Sequence, residues 1–115
     1  MEVKDIARIA HILEAAQDLK SFTQGKDRSS LDSEKMLLYA VVRAIEIIGE
    51  ASSQVSTTTR SQYPELPWRD AVGMRNQLIH AYVTVDLDIV WKTATVAIPQ
   101  FISEIKRLGL DQLKD

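Results

Sequence analysis

Apolar residues along this chain recur at steps of three and four, the helical period, and no two-residue alternation persists long enough to build a sheet. Between residues 3 and 23, Ile6, Ile9, Leu13, Ala16 and Leu19 fall on one face and predict an amphipathic helix that stops at Gly25. After a polar stretch over 26–30, Asp32 or Ser33 is expected to cap a second helix running from about 33 to 55. That helix is unusual: Met36, Leu37, Leu38, Val41, Val42, Ala44, Ile45, Ile47, Ile48 and Ala51 wrap most of its circumference. Only Tyr39, Arg43, Glu46, Glu50 and Ser53 form a polar seam. A helix apolar nearly all round is buried on several sides, so a central or interface position is expected.

The Thr/Ser-rich run from Ser56 to Tyr63 reads as a loop, and Pro64 and Pro67 bracket a turn. Pro67 suits the first position of a third helix reaching Ala81 or Tyr82. A link over 84–88 follows, with Asp86 as the expected N-cap of a fourth helix carrying Ile89, Val90, Trp91, Ala94, Ala97, Ile98, Phe101, Ile102, Ile105 and Leu108. Pro99 removes a backbone donor inside it, so a kink or break is expected there, and Gly109 should end it. The expected architecture is an all-α, up-and-down four-helix bundle, one domain over residues 1–115.

Composition narrows the chemistry. With 45% hydrophobic and 26% charged residues the chain has the balance of a globular domain rather than a disordered one. A net charge of −2 argues against coating long nucleic acid by bulk positive charge, so any such contact must be local. The chain has no cysteine, which excludes disulfides, thiolate nucleophiles and cysteine-held metals. No signal-peptide pattern opens the sequence and no apolar run approaches a bilayer span, so a soluble cytoplasmic protein is expected.

The third helix departs from plain amphipathicity. At 100° per residue from Ala71, Tyr82 falls near ~20°, Arg75 near ~40°, Trp68 near ~60°, Ile79 near ~80° and Leu78 near ~340°, placing Arg75 inside the apolar stripe. A guanidinium cannot discharge, so there it needs an anion, either a carboxylate such as Glu46 or Glu50 or a ligand phosphate. Asn76, His80 and Gly73 form a polar strip beside the stripe, and glycine leaves room for something to approach the backbone. Arg75 and His80 stand about 140° apart on the ideal wheel, so a shared site needs a long reach or a second subunit. Plainer roles fit too: His80 can cap the helix C-terminus, Tyr82 can pack in the bundle, and the Tyr39-to-Glu50 seam can be an ordinary salt-bridged face or interface network. Trp68 and Trp91 read as packing anchors and His11 as a surface residue. His11 and Glu14 run opposite to the Glu-x-x-His order of bundle di-metal sites, and no phosphate-cradling glycine loop or nucleophile elbow occurs.

The run from Trp68 to Tyr82, WRDAVGMRNQLIHAY, resembles the signature of the HepT-like proteins of the HEPN superfamily, the toxins of type VII toxin–antitoxin modules. Arg43 to Ala51, Tyr63-Pro64, Pro67-Trp68, Val85-Asp86 and Trp91 extend the resemblance over nearly the whole chain. The resemblance implies a helical homodimer whose Arg-x4-His motifs face each other as a metal-independent endoribonuclease site, with no cofactor. Arg75 and His80 would be catalytic, and Asn76 would be the polar residue that follows the arginine. Tyr82 would be the tyrosine that an MntA-like nucleotidyltransferase antitoxin modifies with AMP, silencing the toxin.

Elementary chemistry agrees with that implication. Cutting RNA without metal needs a base for the 2′-hydroxyl proton, an acid for the leaving oxygen and a cation for the pentacoordinate phosphate. An imidazole of ordinary pKa near ~6.5 serves as base or acid at neutral pH, and a guanidinium offers a permanent fork for phosphate oxygens. A dimer supplies two of each. The second reading is a non-catalytic helical docking subunit for a nucleotidyltransferase.

Overall fold

The computed structural model describes residues 1–83 and 86–113, and within these the side chains at 75, 77 and 79–83 lie outside the description. The described residues are helical throughout their regular structure, in the order α1 (Val3–Thr23), α2 (Ser30–Ser33), α3 (Lys35–Gln54), α4 (Thr57–Gln62), α5 (Trp68–Val83), α6 (Leu87–Lys92), a π turn (Thr93–Ala97), α7 (Ile98–Arg107) and a 3-10 turn (Leu110–Gln112). The four long helical stretches of the expected bundle are α1, α3, α5 and the combined α6, π turn and α7. No helix among the described residues is long and apolar enough to cross a membrane.

Helix α1 keeps the expected bounds, but its buried face is rotated from the expected one. Ile9, Ile12, Ala15, Ala16 and Leu19 are buried while Ile6 and Leu13 are half-buried, so the face centres nearer Ile12. Asp5 shares this phase and is buried as well. Gly25, at φ 74°, turns the chain beyond the helix in the left-handed region that favours glycine.

The expected caps of the second long helix do other work. Arg28 donates to Asp32 at 2.9 Å and to Asp88 at 2.6 Å, tying the linker to α6, while the Ser33 hydroxyl donates to the Ser29 carbonyl. Residues Ser30–Ser33 form a separate turn, α2, pinned by buried Leu31, and α3 begins at Lys35 behind Glu34 without a side-chain cap. Helix α3 is central, packing against both α1 and α5 and burying Val41, Ile45 and Ile48 completely. The all-round burial expected of it holds only in part: Leu38, Val42 and Ile47 are partly buried against the core, whereas Met36 is 87% and Tyr39 53% exposed.

The Ser56-to-Tyr63 run is a helix rather than a loop. The Ser56 hydroxyl caps α4 by accepting from the Thr59 amide at 3.2 Å. Arg60 then folds back, its Nε donating to the Val55 carbonyl at 3.0 Å and its Nη2 to the Ser53 carbonyl at 2.7 Å, where the end of α3 favours a cation. Ser56 and Thr59 are both tied to Asp5, whose carboxylate accepts from the Ser56 amide (2.9 Å), the Ser56 hydroxyl (2.6 Å) and the Thr59 hydroxyl (2.5 Å).

Asp86 caps α6 as expected, its Oδ1 accepting from the Ile89 amide at 3.3 Å. The expected disturbance near Pro99 takes the form of the π turn just before it, closed by the Ile98 amide donating to the Thr93 carbonyl five residues back. The wider turn absorbs the lost donor, and Pro99 lands in the first turn of α7, where no amide is needed. Gly109, at φ 74°, ends α7 with its amide on the Lys106 carbonyl at 3.0 Å.

Candidate functional site

Helix α5 carries every residue the sequence marked for chemistry, and its register is fixed from the N-terminal side. Trp68 is buried, its ring standing edge-on to Phe101 of α7 with centroids 6.2 Å apart at 84°. Its indole Nε1 donates to the Tyr63 carbonyl at 2.9 Å, and Leu66 is buried just ahead of it. From there Ala71, Met74 and Leu78 face the core at steps of three and four. The opposite side is solvated: Arg69, Asp70 and Asn76 are exposed, and Val72 and Gly73 half-exposed.

This phase agrees with the wheel drawn from the sequence. Asn76 is where the polar strip was expected, and the space beyond Gly73 is open, since a Cβ built there would meet nothing within 4 Å. Arg75, His80 and Tyr82 all lie on the formed helix, five and two residues apart. Their side chains lie outside the described residues, as does any pairing of Arg75 with Glu46 or Glu50; Val85, part of the resemblance, does too. A rise of ~1.5 Å per residue separates Arg75 and His80 by roughly 7.5 Å along the axis and sets them about 140° apart.

The polar seam of α3 contains one ion pair of the salt-bridged face that the sequence allowed. Arg43 donates to Glu46 at 3.4 Å, Tyr39 stands in solvent, and Glu50 borders a shallow cavity of about 270 Å³ between α1 and α3. Arg8, His11 and Arg43 line the same cavity. His11 is exposed, as expected. Arg8 was not singled out, although its three-residue spacing from His11 places both on one face of α1; its buried Nε has no hydrogen-bond partner among the described residues.

Asp5 is the other residue that the sequence did not mark. Burial raises its pKa, but the hydroxyls of Ser56 and Thr59 and the Ser56 amide outweigh burial and hold the carboxyl below the usual aspartate value. Three hydrogen bonds from the chain itself engage both of its oxygens, so Asp5 is a structural tie. Trp91 is partly buried against the core, as expected of an anchor. Among the described residues, no group of three or more His, Asp or Glu side chains is placed to hold a metal ion.

Comparison with known proteins points to one family. A family described as "Ribonuclease HepT-like" matches residues 12–108, which runs from the middle of α1 to just past the end of α7 and includes all of α5. The chain is 39% identical over 107 residues to "Putative RNase MJ1380" of Methanocaldococcus jannaschii, covering 92% of this chain and 98% of that protein. It is 38% identical over 97 residues to "Probable ribonuclease HepT" of Thermococcus cleftensis, covering 84% and 88%. A third relative, "Putative RNase TTE0752" of Caldanaerobacter subterraneus, is 32% identical over 100 residues. No solved structure gives a significant match. On the family match and the near-complete overlap with these relatives, the chain belongs to the HepT-like ribonucleases of the HEPN superfamily.

Proposed function

We propose that this protein is a metal-independent endoribonuclease, the toxin of a toxin–antitoxin pair, acting as a homodimer through Arg75 and His80. The observation that carries the reading is the Arg75-x4-His80-x-Tyr82 spacing on one continuous helix, within the segment that matches a ribonuclease family. The names of the relatives support the RNase activity.

The chemistry runs within the RNA strand. One His80 takes the proton of a 2′-hydroxyl, and the freed oxygen attacks the adjacent phosphorus to form a 2′,3′-cyclic phosphate. The partner protomer's own His80 protonates the departing 5′-oxygen, so the proton count balances. Arg75 from each protomer neutralises the charge that builds on the pentacoordinate phosphate. Asn76, exposed beside them, supplies a neutral polar contact to the strand. The twofold axis accounts for the angular separation of Arg75 and His80 that a single helix leaves. Transfer of AMP from ATP to the Tyr82 hydroxyl by a nucleotidyltransferase antitoxin, with pyrophosphate released, sets a phosphate two residues from His80, where it competes with RNA for Arg75.

The test is cleavage of a single-stranded RNA by the purified protein in EDTA. Wild type should cut and leave cyclic phosphate ends. Arg75→Ala and His80→Ala should each cut at least about a hundredfold more slowly while remaining folded. Co-expression with the nucleotidyltransferase should add AMP to the intact mass, and Tyr82→Phe should prevent it. A folded protein that binds the nucleotidyltransferase but never cuts RNA refutes the reading in favour of a docking subunit.

A further inference from the structure

A cavity lies between α1 and the π turn and α7, away from the described residues of α5. It is a half-open cleft of about 500 Å³. Its floor is aliphatic: Leu13, Ala16 and Leu19 from α1 face Ala94, Ile98 and Ile102. Ala16 on one side and Ala94 on the other are short, which leaves room for it. Leu13 to Thr23 line one wall, ten residues apart, so the cleft runs roughly 15 Å, close to three helical turns.

Its charge is one-sided. Lys20 and Lys106 stand exposed on the rim, and among the described residues no carboxylate lines the cleft. The other flank of α7 has the opposite character, with a cavity of about 350 Å³ bordered by Glu65, Asp70 and Glu104. An acidic protein that keeps a lysine-rimmed apolar trough selects a partner by sign. Among the described residues the lining has no aromatic ring on which a nucleobase could stack, and this argues against RNA as the occupant. A trough of this length and openness suits a helix laid lengthwise better than a small molecule, which a binding pocket encloses more fully.

We propose that this cleft is a docking groove for an amphipathic helix of a protein partner, its aliphatic face seated on Ala16, Ile98 and Ile102 and its acidic flank on Lys20 and Lys106. The proposal is independent of the RNA-cutting reading, because no described residue of α5 lines the groove.

The experiment uses a fluorescein-labelled helical peptide of about 14 residues, long enough at ~21 Å to span the groove, with leucines at i, i+3 and i+7. One version has glutamates flanking the leucine stripe and the other lysines. By fluorescence anisotropy at low salt, wild type should bind the glutamate version roughly tenfold more tightly. Lys20→Glu with Lys106→Glu should reverse that order. Gln17→Trp, a change at an exposed lining position, should abolish both interactions while leaving the helical circular dichroism and any RNA cleavage unchanged. Equal binding of the two peptides, or a preference that survives the charge reversal, overturns the proposal. So does binding of laurate without either peptide, which assigns the cleft to a small amphiphile. Self-association that Gln17→Trp removes also overturns it, by assigning the cleft to a second copy of the chain.

Discussion

Replacing Asp5 by alanine removes the acceptor of three hydrogen bonds in a single step. The Ser56 amide, the Ser56 hydroxyl and the Thr59 hydroxyl all donate to it, and Thr59 is 2% exposed, so water replaces these partners poorly. Hydrogen bonds to a charged group contribute roughly 1.5–3 kcal/mol each, and burying the carboxylate takes back part of the sum. A net loss of about 3 kcal/mol is expected, near a 12 °C fall in Tm for a chain of this size. The cost should also depend on pH. The folded carboxyl titrates below the ordinary aspartate value of 3.8, so its contribution is complete above that value and lost as pH falls through the folded pKa. Urea unfolding of wild type and Asp5→Ala, followed by circular dichroism, should therefore differ fully at pH 7 and progressively less below pH 3.8. An equal difference at pH 7 and in strong acid would refute the charged-acceptor account, and a difference under about 1 kcal/mol would refute the tie itself.

Further outcomes are expected at α5. Trp68→Phe keeps the edge contact with Phe101 but loses the bond to the Tyr63 carbonyl, so thermal unfolding should show a loss of about 1–2 kcal/mol. Gly73→Ala places a methyl group in open space within a helix; chemical denaturation should show a gain of up to ~1 kcal/mol, and RNA cleavage should weaken through a higher KM. In EDTA, single-turnover assays of Arg75→Ala and His80→Ala should show losses of ~100-fold or more with the fold retained. Tyr82→Phe should cut RNA as wild type does and escape silencing by the nucleotidyltransferase, as read by intact mass and residual cleavage.

The long helices were legible because their cues are local. The apolar period fixed α1 to its observed bounds, Asp86 announced α6 through a side chain three residues from its target, and Pro99 marked the place where regular α geometry gives way. What escaped the sequence depends on distant partners. Ser56 to Tyr63 looks like a loop because serine and threonine are poor helix formers, and α4 is held in part by a carboxylate 51 and 54 positions away. Asp32 looks like a cap until Arg28 claims it. Met36 counts as apolar on a wheel yet stands in solvent, because hydropathy does not say whether anything arrives to cover it. For the candidate site, the sequence carried the motif and its phase: the described positions on α5, from buried Ala71, Met74 and Leu78 to exposed Asn76, stand where the wheel set them. A cross-subunit site is written in one chain only as an angle that one chain cannot close.

The π turn over Thr93–Ala97 has a mechanical consequence. The turn interrupts the regular α hydrogen bonding of the segments on either side, so it is the expected joint of the rod. Ala94 and Thr95, within that joint, also line the cleft facing α1. Bending of the rod at this joint would move the trough's own floor, and with it the mouth between Lys20 and Lys106. Whatever occupies the trough should be felt first as slowed amide hydrogen exchange in these five residues.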